Sequence, residues 1–538
     1  MQSVLSEVVF VGVINPPLDD KSEAEETQRD IKDLAGGALV SFVGKLGRIS
    51  RGAFIWVITF FLGWDVQGLY TLSWGVVSTL NKVGRLGLQR GVVRYIVKAR
   101  MAADQEGVAR VQGAAMFVGL LCSLMVAGLV MLSADWIAGF YNRPIGSAMR
   151  IMALSAPFLT LVWIFVASTQ ALRIMRYDVY VTSIASPLFL LVGGLVVGFA
   201  DLGLEGIAWV QVGMAIACCV LADHYFRNFF SLSKCLNCVG RGLPWKPLGR
   251  FSFPVMLTDL LYSLLTQIDV LMLGFFVREE EVGLYAIARR LASAMLKAPQ
   301  AFDPMFSSIV SELSSRQQHQ ELGYRFVVIS RWILTINLPI FAALLMVGDH
   351  LLALDAGDDI FGLTGAEVEA GISVLFLLCI GMMLQGLFAV AEPLLVMAGR
   401  PYLNMSNNAI WLVMNFLLNL LLISSYGIVG AALGATLSMA LANGIRLLHV
   451  YRIHRVQPFR RSQLKPVAAV LVASLISWLV QDQMPLPLLW SVVGSLVAFL
   501  GLYIFLLYVL GMEAEDRALL ARLRQLLGLF GAQRYRNG

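Results

Sequence analysis

Charge is what this sequence lacks most. Asp, Glu, Lys and Arg make up 14% of its 538 residues against 58% hydrophobic ones, and mean hydropathy is +0.74. Soluble domains carry about a quarter charged residues, so that class is excluded. Long polar stretches are also missing, which leaves no room for a sizeable soluble domain and argues against a sugar-nucleotide-dependent glycosyltransferase. The short alternating segments of a transmembrane β-barrel are absent too. The histidines are scattered rather than clustered, and Cys235 and Cys238 in CLNC stand without a second pair, so inert thiols are expected and neither a metal nor a cofactor. GKL at 44–46 lacks the upstream glycine and following Ser or Thr of a phosphate loop, which leaves direct ATP-driven transport unsupported. An enzyme is not expected. The N-terminal run VLSEVVFVGVI has no basic flank, carries Glu7 and leads into DDKSEAEETQRD; we read residues 1–35 as a polar arm, not a cleaved signal.

Apolar runs of bilayer-spanning length fill nearly all the rest. The pattern predicts an all-α polytopic membrane protein with about fourteen transmembrane helices. They lie near 38–63, 68–92, 110–133, 148–172, 178–200, 203–225, 247–272, 282–310, 326–348, 370–397, 403–424, 428–450, 466–481 and 487–511. Lys and Arg gather in alternate connections, including Arg94, Lys98, Arg100, Arg241, Arg455, Arg460, Arg461 and Lys465. The other connections hold little beyond Arg143 and Arg278 and collect Asp65, Asp135, Asp201 and Glu279–Glu281. The positive-inside rule therefore places both termini in the cytoplasm. The net charge of +6 reports that topology and membrane-surface contact, with no nucleic-acid partner. After Glu513, leucines beside Arg517, Arg522 and Arg524 predict a basic amphipathic tail on the inner leaflet, or a simple stop-transfer flank.

An internal repeat divides the chain. WDVQGLYTLSW at 64–74 resembles EEEVGLYAIAR at 279–289, and DLGLEGIAW at 201–209 resembles SYGIVGAAL at 425–433. The offsets are 215 residues (Gly68 to Gly283) and 224 (Gly206 to Gly430). Six spans separate the copies, so they share one orientation, and two six-helix lobes around a central cavity are expected, plus two extra C-terminal helices. The predicted divisions are an arm at 1–35, an N-lobe at 36–225, a cytoplasmic loop at 226–246, a C-lobe at 247–450, a linker with two spans at 451–512, and the tail at 513–538.

The few charges that fall inside spans carry the functional reading. From Gly52 to Gly63 a helix covers only roughly 18 Å of a hydrocarbon core of about 30 Å. The first span must therefore begin near residue 40, with Arg51 near mid-membrane, Arg48 in the inner half and Lys45 close enough to the surface to snorkel. Lys82, Arg85 and Gln89 share one face of the second span, the two cations about 20–24 Å below its outer end. In the eighth span Arg289 and Arg290 lie about two turns down, with Lys297 nearer mid-depth and facing as Arg290 does. Each such cation facing lipid costs about 2.5–3.5 kcal/mol, so they must line water or pair with acids. Asp259 and Asp269 in the seventh span are the available acids, as pairing partners or as protonation sites; a structural pair of Asp269 with Arg289 or Arg290 is one reading. The surplus of cations predicts a cavity that attracts an anionic substrate. Asp303–Pro304 and Glu392–Pro393 mark helix breaks with structural roles, and Asn415 and Asn419, one turn apart, should bond across helices.

IDVLMLG and VGLYAIA within residues 251–310, MAGRPYLNMSNNAIWLVMNFLLNLLLISSYGIVGAALGATL from 397, and LGWDVQGLYTLSW from 62 resemble the polysaccharide transporters. These are the O-antigen and exopolysaccharide flippases of the multidrug/oligosaccharidyl-lipid/polysaccharide exporter superfamily. The resemblance implies an alternating-access flippase of undecaprenyl-pyrophosphate-linked oligosaccharide in the bacterial inner membrane. By that resemblance Lys45, Arg48, Arg51, Lys82, Arg85, Arg289 and Arg290 would contact the anionic head group, and polymerase or synthase components would be possible partners. Two alternatives remain open: a cation-coupled multidrug exporter of the same fold, and a membrane scaffold subunit of a secretion complex.

Overall fold

The computed structural model describes residues 21–172, 174–238, 245–300, 318–353, 365–397, 401–456, 460–481 and 488–511, with Phe302, Phe306, Val310, Leu313 and Glu513; side chains are described from Gly52 onward over most of these. Asp303, and the tail beyond Glu513, lie outside the described residues.

The described chain is helical throughout. In order come α1 (Lys21–Arg85), α2 (Leu88–Met101), α3 (Gln105–Tyr141), α4 (Gly146–Gln170), α5 (Arg176–Ala200), α6 (Gly203–Arg227), α7 (Leu232–Asn237), α8 (Trp245–Phe276) and α9 (Glu279–Ala292). Then follow α10 (His319–Ala353), α11 (Gly365–Phe388), α12 (Ala391–Met397), α13 (Pro401–His454), α14 (Leu464–Gln481) and α15 (Leu488–Val509). Among the described residues nine helical segments are long and apolar enough to cross a membrane. Their outward faces are bare hydrocarbon, as at Leu124, Met125, Leu129 and Leu132 on α3. Such faces are stable only in lipid. The protein is a multi-pass helical membrane protein.

Glycine decides where the longest helices turn. α1 and α13 each contain one non-helical residue, Gly63 (φ 89°, ψ 170°) and Gly427 (φ 54°, ψ −133°). Positive φ strains any residue with a Cβ, so the chain reverses where glycine permits it. Both turns coincide with breaks between spans expected from the sequence. Elsewhere the structure departs from those expectations. The span expected at 68–92 breaks at Leu86 (φ 50°) and Gly87 (φ 64°), where a Cβ on Gly87 would meet the Ser252 carbonyl oxygen at 2.6 Å. The span expected from 282 tightens into a 3-10 turn at Ser293–Leu296. α11 and α12 part just before Glu392–Pro393, because Pro393 cannot donate a helical bond to Ala389.

The repeat is visible in the backbone. Gly203 and Gly427, equivalent in the second match, are both left-handed, at φ 57° and 54°. Gly68 and Gly283, equivalent in the first, face each other. A Cβ on Gly68 would collide with the Glu279 carbonyl, and one on Gly283 would lie 2.6 Å from the carbonyl oxygen of Trp64. Trp64 and Glu279 are themselves equivalent, so the contact is reciprocal. Side-chain packing forms several apolar cores: one draws on residues from Phe54 to Cys235, another mainly on residues from Leu265 to Ala442. Phe499 and Tyr503 of α15 pack with α14 against Leu334 and Leu338 of α10, placing the last two helices on its flank.

Candidate functional site

A polar seam runs where the C-terminal end of α1 and the start of α2 meet α8. Thr79 Oγ1 and Ser263 Oγ lie 3.4 Å apart. Toward α2, Arg90 Nη2 is 3.2 Å from Asp259 Oδ1, and Gln89 Nε2 donates a long 3.5 Å bond to Asp259 Oδ2. Lys82 and Arg85, one turn apart, sit half-buried between these contacts. The Asp259 carboxylate is near enough to act on both charges. The Arg85 guanidinium also lies 5.2 Å from the ring centroid of Trp163 on α4. Its Nε is buried with no hydrogen-bond partner among the described residues, and so are both amide atoms of neighbouring Asn81. Three cations (Lys82, Arg85, Arg90) thus face one carboxylate. Among the described residues the seam is net positive, and it holds buried polar atoms without a hydrogen-bond partner.

Asp269 is used differently. Only 1% exposed, its carboxylate lies 2.9 Å from Arg289 Nη1 and accepts bonds from Asn415 Nδ2 (2.9 Å), Asn419 Nδ2 (3.0 Å) and Tyr285 Oη (3.2 Å). Nη1 lies off the hydrogen-bond direction, so the Arg289 contact is ionic rather than an aligned bond. The cluster ties α8, α9 and α13 together, and the Arg289 charge is engaged within it. Arg290 and Lys297 are exposed on the other face of the α9 region, away from buried Ala292 and Met295. Lys45, Arg48 and Arg51 lie on α1 ahead of Gly52, where side chains are outside the described residues.

Several polar residues were not singled out from the sequence. Arg446 is buried and donates to Asn443 Oδ1 (3.1 Å) and Asn408 Oδ1 (2.9 Å). Its signal was present, since it is a cation within a span; Arg90 gave less, lying next to a chain break that the pattern did not show. Arg143 and Arg278, the isolated cations of the acidic connections, each have an acid: Arg143 bonds Glu279 and the Val277 carbonyl, and Arg278 pairs with Glu367. Beside Arg143, Tyr141 stacks on Phe275 with centroids 3.9 Å apart. With the Gly68–Gly283 crossing, the Arg143 and Tyr141 contacts tie α1 and the end of α3 to α8 and α9. Asn404 donates to Glu392 at 2.9 Å, beside the expected helix break. Cys235 donates its thiol to Gln112 Oε1 at 3.3 Å; burial, and secondarily Cys238, pushes it up to about 11, so it is protonated at neutral pH.

A family model for polysaccharide biosynthesis proteins matches residues 35–302, about half of the chain and the whole of the seam. The chain belongs to this family. Two relatives of this polysaccharide biosynthesis protein come from Haloferax volcanii. One, named a probable low-salt glycan biosynthesis flippase, Agl15, is 29% identical over 175 residues, 32% of this chain and 35% of that protein. The other, named a probable flippase, AglR, is 26% identical over 206 residues, 38% of this chain and 40% of that one. The chain thus spans well under half the length of the curated relatives it matches. Among solved structures, the lipid II flippase MurJ in an inward closed conformation aligns with a TM-score of 0.67 over 88% of this chain and 98% of MurJ, at 14% identity. An inward-facing multidrug resistance MATE transporter of the MOP superfamily aligns at 0.66 over 77% and 94%, at 13% identity. At such identities the likeness establishes the shared all-α fold.

Proposed function

We propose that this polysaccharide biosynthesis protein is a flippase that carries a lipid-linked, anionic oligosaccharide across the membrane by alternating access between two lobes. The observation that carries the reading is the net-positive seam between α1–α2 and α8. Lys82 and Arg85 are half-buried there, and the carboxylate facing them is already paired with Arg90. Guanidinium and ammonium groups held in a low-dielectric seam bind phosphate oxygens strongly, and arginine does so in a bidentate fork. The probable flippase names of the Haloferax relatives support the same class, as does family membership. Arg48 and Arg51, with Lys45 at the surface, are assigned to the same lining from the length of the first span. Arg290 and Lys297 are assigned from their exposed face on the second lobe. Organic cations, the cargo of a multidrug exporter, would be repelled by this seam.

The finer assignment is a polyprenyl-pyrophosphate carrier, undecaprenyl in a bacterial inner membrane, serving O-antigen, capsule or exopolysaccharide assembly, with both termini cytoplasmic. It rests on the resemblance across 251–310 and on the arginine-rich connections. The test is to delete the protein and measure lipid-linked glycan on each face of the membrane. Intermediates should accumulate on the face where they are made, and wild-type protein but not Arg85→Ala should clear them. Normal surface glycan without the protein would refute the function.

A further inference from the structure

Away from the seam, on the flank that α14 and α15 add to α10, the protein has an open hollow of about 520 Å3. Four cations line it: Arg331 of α10, Arg460 and Arg461 of the turn entering α14, and Lys465 in the first turn of α14. Tyr324 of α10, Ser462 beside the arginines, and Glu513, just beyond α15, complete the polar lining. Glu513 is the single carboxylate among the described residues of the lining, and its Oε1 lies 2.8 Å from Lys465 Nζ and 4.0 Å from Arg331 Nη1. Lys465 also donates to the Gly511 carbonyl at 3.0 Å. Arg331 is buried at 5% exposure, whereas Arg460 and Arg461 are open to the cavity mouth and form no ion pair with a described residue. The described lining keeps three positive charges in excess.

The cavity is built by packing. Tyr503 of α15 donates to the Thr335 carbonyl of α10 at 2.9 Å, one turn from Arg331, and the apolar core shared by α10, α14 and α15 holds the three helices together. Its surroundings specify the ligand further. Leu464 beside the arginines, and Tyr508, Val509 and Leu510 beside Glu513, are exposed apolar side chains on the same end of the two helices. They continue a hydrocarbon-facing surface through Leu471, Ile504 and Phe505. A basic hollow opening onto an apolar belt at a helix end fits a molecule with a phosphate head and acyl tails. A soluble anion would use only the charges.

We propose that this flank cavity binds the phosphate of an anionic glycerophospholipid, separately from the central seam and independently of the transported cargo. Arg460 and Arg461 would take the phosphate oxygens at the mouth, with Arg331 behind them, while the chains lie along α14 and α15. The experiment uses the full-length protein in neutral detergent, scanned for thermal stability during titration with four probes: phosphatidylglycerol, phosphatidylcholine, inorganic phosphate and a short polyprenyl phosphate. Phosphatidylglycerol should raise the melting temperature at the lowest concentration. The surface variant Arg460→Gln/Arg461→Gln should need a roughly 30-fold higher concentration for the same shift, while keeping its elution profile and unliganded melting temperature. Equal stabilisation by phosphatidylcholine or by inorganic phosphate would overturn the proposal. So would tighter binding of polyprenyl phosphate, which would give the cavity to the carrier, or an unchanged response of the variant.

Discussion

Asp269→Ala should be among the most destabilising single substitutions in this protein. The change removes a carboxylate that is 1% exposed and leaves the Arg289 guanidinium, itself 16% exposed, without its counter-charge. Removing one partner of a buried ion pair costs about 3–5 kcal/mol, because the remaining charge stays desolvated. The amides of Asn415 and Asn419 lose their shared acceptor as well, which adds to that figure. The second apolar core spans a region the size of one domain, for which each kcal/mol moves the melting temperature by roughly 2–4 °C. A fall of about 6–20 °C is therefore expected in detergent, read by fluorescence-detected size exclusion after heating. Replacing both charges, as Asp269→Leu with Arg289→Met, removes the stranded cation and should recover most of the loss, less the Asn415 amide and Tyr285 hydroxyl that lose their acceptor. A single variant melting within about 2 °C of wild type would refute the ion-pair account, as would a double variant melting below the single one.

Three further outcomes are expected. Gly283→Val places methyl groups where the Trp64 carbonyl oxygen already lies 2.6 Å from a Cβ, so the crossing with Gly68 must separate. Overpacking at about 1–3 kcal/mol should leave the protein inserted but abolish transport, checked by export and by disulfide trapping across the crossing. Arg85→Lys keeps the charge but loses the planar face over Trp163, about 0.5–2 kcal/mol, so export should fall partly, whereas Arg85→Ala should abolish it. Arg143→Ala and Glu279→Ala should be non-additive in thermal stability, the double variant no worse than Arg143→Ala alone, since they share one contact and Arg143 alone also holds the Val277 carbonyl.

Much of the fold was legible because lipid leaves few options. Apolar length and the spacing of Lys and Arg gave the class, and glycine turns at Gly63 and Gly427 fell where the hydropathy breaks. The glycines of the first match were legible too, because the backbone crossing of Gly68 and Gly283 admits no side chain at either. The break at Leu86–Gly87 was not, since hydropathy continues through it and the strain falls on a residue that is not glycine. For the site, sequence could find cations inside spans but not their partners. Whether Arg289 faced Asp269 or an aqueous cavity depended on how α8, α9 and α13 pack, and pairwise geometry of that kind has no local signal. Arg90 escaped for a related reason: it reaches Asp259 only because the chain bends just before it.

The central claim is that the positive seam recognises an anionic lipid-linked glycan for transport. Its most direct test reconstitutes the purified protein into vesicles carrying a fluorescent lipid-linked oligosaccharide with a pyrophosphate link, and measures protection from an external glycan-cleaving enzyme. Wild-type protein should expose the inner-leaflet pool to cleavage, while Lys82→Ala/Arg85→Ala should not, and a matched lipid with an uncharged link should stay protected. Equal exposure of charged and uncharged lipids, or full activity in the double variant, would contradict the account.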